Sequence, residues 1–407
     1  MLKAAIKSLV FSLPPVKRLA GRAAMLESEV RALRVELEVF RANPKHSDEP
    51  YRPSLLHRPP DKLEGVTVKR SVGETVDDAS IVRRVVAFYR HAVQSQADLG
   101  QSMWKTFFQE KHEDLHQLVL CGSVDEVAAV LRNPGNSELF YGFSMLCAGL
   151  YDEHASDEKL MKGARQYFDW LICLAEELGV VRIFNPERAD IFDSPDADEL
   201  LQKIETALDI NIILPNPYPN ESGLATSRGV LTDRVPMALY QAWRLKNLVK
   251  GIDDPRVVEI GAGQGLTAYY ARLMGIKDYT VVDLPFTAIS SGYFLMRALG
   301  EDHVAMYGDG NDSIHKIKIL PPQAFMAQAE RFDVALNADS LTEMDESVAH
   351  AYLEKIKTTS RLFLSINHEA NSHTVRAWIA GTIGKAFSRT PSYIRKGYIE
   401  EVVRFDA

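Results

Sequence analysis

The sequence predicts an α/β fold: a parallel sheet in the carboxy-terminal half, preceded by an all-helical domain and an N-terminal amphipathic, coiled-coil helix. Three observations predict it. After about residue 234, short apolar runs alternate with helix-period segments, the pattern of strands buried on both faces and joined by crossover helices. Between about 75 and 208 the apolar residues recur at helical spacing, with no strand-like alternation of any length. The first 43 residues combine a basic amphipathic stretch with a heptad pattern.

Composition narrows the function classes. A chain of 407 residues with 46% hydrophobic and 25% charged residues reads as a globular protein with a sizeable core. Its net charge of −8 repels phosphate backbones, so the expectation is no nucleic-acid partner. Cys121, Cys147 and Cys173 are too scattered for a disulfide framework and read as buried thiols in a reducing compartment. No apolar run approaches the roughly 18 residues of a membrane span, and Leu9-Val10-Phe11 is too short for a signal-peptide core. The expected location is cytoplasmic, possible contact being with the inner face of the cell membrane.

The elements follow in order. Residues 1–24 carry Lys3, Lys7, Lys17, Arg18 and Arg22 without an acid, and Leu2, Ile6, Leu9 and Leu13 fall at helical spacing. Such a helix can lie on an anionic membrane surface or pack on its own protein. Leu19, Leu26, Leu33 and Phe40, interleaved with Ala23, Val30 and Leu37, form heptads over 19–40. They fit a parallel homodimer or one helix docked on its own domain. This N-terminal segment ends at 43. A linker over 44–74 contains Pro44, Pro50, Pro53, Pro59 and Pro60. The helical domain spans 75–210. It includes apolar faces at Ile81, Val85, Val86 and Tyr89 and at Met161, Ala164, Tyr167, Phe168, Leu171 and Ile172. Ser123 with Glu126 forms a capping box, and Ser194-Pro195 reads as a helix start. The α/β domain covers 211–407, with strand runs at Arg256–Ile260, Tyr279–Asp283, within 303–320, Phe332–Asn337 and Arg361–Asn367. The stretch Asn216–Arg228 reads as a long loop bordering the acceptor site.

In such sheets ligands bind at the carboxyl ends of the strands. The first strand ends Glu259-Ile260-Gly261-Ala262-Gly263-Gln264-Gly265. Alternate glycines allow a tight turn and close approach of a ligand to the backbone. A dinucleotide fingerprint would need glycine where Leu266 stands. A carboxylate ahead of the turn suits a cationic amino-acid tail and would repel pyrophosphate. Asp283, closing the second strand, is placed to accept both ribose hydroxyls, with Leu284 beside it. Together these describe an S-adenosylmethionine site comprising Glu259, Gly261, Ala262, Gly263, Gly265, Asp283 and Leu284. Asp309 or Gln323 is a candidate for the adenine amino group, and Asn337 borders the cofactor at the end of the fourth strand.

Four stretches carry a family resemblance: 259–265, Val-Val-Asp-Leu-Pro at 281–285, Asn-Ala-Asp-Ser-Leu-Thr-Glu-Met at 337–344, and Ser-Ile-Asn-His at 365–368. With Leu-Phe-Tyr-Gly-Phe at 139–143, they make the chain resemble class I S-adenosylmethionine-dependent methyltransferases. Specifically, it is similar to the sugar O-methyltransferase family of bacterial polysaccharide gene clusters. The likeness covers about 120–407 and is densest after 250. It implies a Rossmann-like methyltransferase sheet and methyl transfer to a sugar hydroxyl of a surface glycan or its precursor. Because the chain stops soon after Phe405, the two closing strands of that sheet are expected to be shortened or reduced to one.

A sugar hydroxyl is a weak acid, so a base or a metal ion has to assist its methylation. Asp339 and Glu343 follow the fourth strand, and His368 and Glu369 the fifth. One reading has Asp339 and Glu369 holding a divalent cation, magnesium by its oxygen ligands, with His368 as base. The other needs no metal: His368 deprotonates, and Asp339 or Glu343 orients it. Asp345 and Glu343 also suit the amino-terminal end of a helix over 346–356, and Asn337 suits its cap. Competing functions are methylation of another small molecule, such as a polyketide or lipid-linked intermediate, and a non-catalytic scaffold for glycan assembly.

Overall fold

The computed structural model describes residues 55–407 except 75, 96–101, 138, 140–155, 192–194, 311–314, 372, 383–385 and 406–407. The amphipathic stretch, the heptads, Cys147, Ser194 and most of 139–143 lie outside the described residues. Leu55–Ala407 forms one compact unit.

It begins with strand β1 (Val68–Val72) and the helices α1 (Ala79–Ala92), α2 (Met103–Phe107), α3 (Glu113–Cys121), α4 (Val124–Arg132), α5 (Asp157–Glu177) and α6 (Ala197–Leu208). The expected capping box is present: Glu126 N–H donates to Ser123 Oγ at 3.3 Å, and Ser123 N–H donates to Glu126 Oε2 at 2.9 Å. Asp196 caps α6, accepting from Glu199 N–H at 2.8 Å, so the helix starts two residues after the Ser-Pro pair.

Two expectations for this half are corrected. Residues 55–74 are not linker, because β1 pairs with β2 (Pro219–Thr226), and Arg58 and Leu63 are buried. The 216–228 stretch is not a loop over the site. β2 and β3 (Gly229–Leu231) pair antiparallel, completing a small sheet in the order β1-β2-β3. Local sequence hides both, since β1 and β2 pair across about 150 residues.

The second half builds the large sheet. Helix α7 (Arg234–Leu248) leads into β4 (Arg256–Ile260), α8 (Leu266–Leu273), β5 (Asp278–Val282), α9 (Pro285–Leu299), β6 (Val304–Met306) and β7 (Ile317–Leu320). Then come α10 (Pro322–Ala327), β8 (Phe332–Ala338), α11 (Glu346–Thr359), β9 (Ser360–His368), α12 (Val375–Thr382), β10 (Ala386–Pro391) and β11 (Tyr398–Arg404). The strand order is β10-β11-β9-β8-β4-β5-β7-β6. Only β11 runs antiparallel to its neighbours. Both closing strands are present, against the expectation of a shortened end. The edge strand β10 escaped notice because Ser388-Arg389-Thr390-Pro391 is too polar to read as a strand.

Side chains alternate between two cores, one on each sheet face. Val257, Val334, Leu336 and Leu364 face one core, and Val258, Ile260, Ala335 and Phe363 face the other. That double burial is why these strands read as continuous apolar runs. Helix α7 is tied to β11 by Tyr240, whose hydroxyl donates to Glu400 Oε2 at 2.6 Å, and by Arg244, whose Nη2 lies 2.6 Å from Glu400 Oε1. Tyr240→Phe is expected to cost about 1.5 kcal/mol, the worth of one hydrogen bond to a carboxylate. An unchanged urea midpoint would show that Arg244 alone holds the contact. Among the described residues no helix is long and apolar enough to cross a membrane.

Candidate functional site

Strand β4 pairs with β5 on one side and β8 on the other, so the direction of winding reverses there. A crevice must open where the connections leave β4 and β8 on opposite faces. It holds a cavity of about 790 Å³. Lining it are Glu259, Gly261, Ala262, Gly263, Asp283, Leu284, Asp339 and Glu343.

The turn after β4 depends on its glycines. Gly261 has φ +77°, and a Cβ there would overlap the Ser340 side chain. That serine is pinned by Asn337 Nδ2 at 2.6 Å and donates to Ile260 O at 3.0 Å. Gly265, φ +88°, caps α8, and a Cβ there would press on Leu295 and Ser291.

Asp283 and Glu259 form the acidic end. Asp283 Oδ2 accepts from Gly263 N–H at 2.9 Å, and its Oδ1 from Leu284 N–H at 2.8 Å. A carboxylate has about four lone-pair sites, so these bonds leave room for a diol. Burial pushes Asp283 up to about 7 even though these backbone amides favour its charge. Glu259 accepts from the Tyr279 hydroxyl at 2.8 Å. Burial, with the nearby Asp283 adding, pushes it up to about 7 as well. Neither buried carboxyl has a basic partner among the described residues, which suits a polar, cationic ligand.

A second charged group, Asp339, Glu343, Arg234 and Arg395, lines the same cavity together with Tyr398. Asp339, directly after β8, has φ +69° and ψ −43°, a strained conformation for a non-glycine residue. Its Oδ2 lies 2.7 Å from Arg395 Nη1 and 3.5 Å from Arg234 Nη1. Its buried Oδ1 has no hydrogen-bond partner among the described residues. Burial raises this carboxyl, but the two guanidiniums outweigh that and hold it below the usual carboxylate range. Burial, with Asp339 adding, pushes Glu343 up to about 7. Trp104, on α2, also lines the cavity and favours the ionised form of Glu343.

Five expected site residues stand outside the cavity lining, Gly265 at the cap of α8 among them. Asp309 binds Arg84 Nη2 at 2.6 Å and Met306 N–H at 2.9 Å, away from the cavity. Gln323, the alternative, does line it. Asn337 is fully buried and clamps strand ends: its Nδ2 donates to Ile260 O at 2.9 Å, and its Oδ1 accepts from Asn367 at 3.0 Å. Nor does it cap α11; Asp345 does, accepting from Ser347 N–H at 2.9 Å. His368 lies outside the cavity lining, accepting from Ala370 N–H at 3.2 Å with its ring against Tyr398. Glu369 is paired with Arg389 at 2.8 Å. The expected cation site on Asp339 and Glu369 is therefore corrected: each carboxylate is held by arginine, and guanidiniums repel a metal ion. Among the described residues no group of three or more His, Cys, Asp or Glu is placed to hold one. Arg234, Trp104 and the neighbouring pair Arg395 and Tyr398 carried no signal in the sequence, because they arrive from three distant parts of the chain without a shared motif. No residue of 216–228 lines the cavity, so the acceptor end is walled instead by α2, the start of α7 and the 392–398 segment.

Fold and site define an α/β protein with a Rossmann-like, parallel-rich sheet and a ligand crevice at its switch point. No family model matches the chain, and no curated protein does. Several solved structures to which its fold is similar are methyltransferases by name. The magnesium protoporphyrin IX methyltransferase of Synechocystis, solved with bound SAM, is 15% identical over 42% of this chain and 77% of its own, at a TM-score of 0.31. The CcbJ methyltransferase of Streptomyces caelestis is 12% identical over 42% and 90%, at 0.31. The glycopeptide N-methyltransferase MtfA, complexed with sinefungin, is 14% identical over 42% and 94%, at 0.32. Likenesses this remote carry no functional weight, and the reading below rests on the chain's own residues.

Proposed function

We propose that the protein is an S-adenosylmethionine-dependent methyltransferase acting on a sugar hydroxyl of a surface glycan or its precursor. The observation that carries the reading is the single cavity joining the glycine turn, Glu259 and Asp283 to the Asp339–Glu343 end. Its size is that of a small-molecule site. The choice of a sugar rests on the motif resemblance alone.

The residues fit the cofactor. Asp283 would hold the ribose diol, Glu259 the cationic tail, and the backbone at Gly261–Gly263 would lie against the ligand. When bound, the cofactor supplies an electrophilic methyl group on a sulfonium. Asp339 Oδ1 accepts a hydrogen bond from the acceptor hydroxyl and orients it, while the guanidiniums keep that carboxylate ionised. Glu343 is the general base: a carboxyl near 7 is partly ionised at neutral pH yet basic enough to take the hydroxyl proton. Asp339 and Glu343 would thus present the hydroxyl oxygen as nucleophile toward that methyl group, with Glu343 holding the released proton. Trp104 and the apolar wall at Met237 and Leu266 exclude water.

Calorimetric titration with S-adenosylmethionine should show one site with a Kd between about 1 µM and 1 mM. Absence of binding at millimolar ligand would overturn the reading. Mass spectrometry of the surface glycan from a deletion strain should then show loss of one methyl group; an unaltered glycan would redirect the search to another acceptor.

A further inference from the structure

Three charged side chains outside the cavity lining are buried together. Arg58 is 2% exposed, Asp169 0% and Glu176 4%. Arg58 Nη1 lies 2.8 Å from Asp169 Oδ1, and its Nη2 pairs with Glu176 Oε2. Desolvating three charges costs several kcal/mol per ion, and well-packed apolar side chains commonly serve stability as well or better. Stability alone therefore gives little reason for this cluster.

What the cluster holds does. The Tyr393 hydroxyl donates to Glu176 Oε2 at 2.8 Å. The His57 ring packs 5.6 Å from the Tyr393 ring, and Lys396 Nζ binds Leu56 O. Tyr393 and Lys396 belong to the connection between β10 and β11, whose inner residue Ile394 is buried. That connection is closed by Ser392 N–H donating to Tyr398 O at 2.8 Å and Tyr398 N–H donating to Arg395 O at 3.2 Å. Between the two tethers stands Arg395, 3.8 Å above the Tyr398 ring and 2.7 Å from Asp339.

We infer that residues 56–58, acting through Glu176 and Tyr393, form a strap that positions Arg395 against Asp339 and so sets the charge of the acceptor end. This inference rests on the proposed function for its importance to catalysis, but not for its geometry. Arg58, Glu176 and Tyr393 are positioning residues, since none of them lines the cavity.

The test is Tyr393→Phe, which keeps the ring packing and removes only the tether to Glu176. Asp339 is faced by Arg234, Arg395, Tyr398 and Glu343. Loosening Arg395 leaves the carboxyl less stabilised as an anion, so its protonation midpoint moves upward. Carboxyl NMR titration of the full chain reads this without any activity. Turnover is expected to fall about 3- to 30-fold with S-adenosylmethionine affinity unchanged. In a cycle with Arg395→Met, the two substitutions should be strongly non-additive in turnover, because the tether acts only through the arginine. A merely structural role would lower the melting temperature, leave the Asp339 midpoint in place and give additive effects. An unmoved midpoint in Tyr393→Phe overturns the inference, whether or not the protein transfers methyl groups. A moved midpoint in a protein without methyl transfer overturns only the functional reading.

Discussion

Glu343→Gln is expected to lower turnover by about 10²- to 10⁴-fold, the usual worth of a general base. Glutamine matches the shape and retains an acceptor oxygen but cannot take a proton at neutral pH. Cofactor affinity should hold, because the groups assigned to the cofactor are Asp283, Glu259 and the glycine turn, none of which is bonded to Glu343. The wild-type rate should rise with pH through about 7, as burial and the neighbouring Asp339 place the Glu343 midpoint there. In Glu343→Gln that limb should disappear, leaving a low, flat profile. His368→Ala is the control: its side chain lies outside the cavity lining, so its rate should stay within a fewfold of wild type. Near-normal turnover in Glu343→Gln, with a collapse in His368→Ala, would restore the histidine as base.

Asp283→Ala should weaken S-adenosylmethionine binding by about 2–4 kcal/mol, or roughly 30- to 1,000-fold in Kd, for two charge-assisted hydrogen bonds lost. Part of the effect comes from the turn itself, since the Gly263 and Leu284 amides lose their acceptor. Asp283→Asn separates the contributions, because its amide keeps one acceptor and no charge. The pH dependence has a definite sign. In the free protein burial pushes Asp283 and Glu259 up to about 7, above their usual values of 3.8 and 4.5. The native chain therefore keeps protons that the unfolded chain has already released. This contribution to stability is complete below about 4 and is lost as pH rises through 7. A cationic ligand favours both ionised forms, so affinity should increase across the same interval. Calorimetry in buffers of different ionisation enthalpy would detect the protons released. Affinity independent of pH between 5 and 8, or wild-type affinity in Asp283→Ala, would reject the assignment.

The cofactor end was legible because it is local. The run Arg256–Ile260 became β4 with the same bounds, and the acid closing the second run sits where the next strand ends. In a parallel sheet each strand delivers its last residues to one edge, so a motif at a strand end is also a position in space. Helix α1 and the Ser123–Glu126 capping box were legible for the same reason: period and cap are written within a few neighbouring residues. The acceptor end was not local. His368, Asn337 and Glu369 follow strands as expected, yet pleat and register turn them into a ring contact with Tyr398, a buried clamp and a surface ion pair.

By itself, then, the amino-acid sequence determined the α/β class, the positions of β4, β5, β8 and β9 and the carboxylates flanking the glycine turn, because each is set by periodicity or by spacing along one strand–turn–helix unit. The single weak run within 303–320 proved to hold both β6 and β7. Tertiary structure decided which side chains share the cavity with Asp339. Arg234 comes from the start of α7, Trp104 from α2, and Arg395 from a hairpin tied down by Tyr393 and the Arg58–Glu176 pair. Arg395 and Arg58 are separated by more than three hundred residues, and no local pattern encodes a contact over that distance. Burial and pairing, settled only when the chain closes on itself, hold Asp339 ionised and leave Glu343 poised near neutrality.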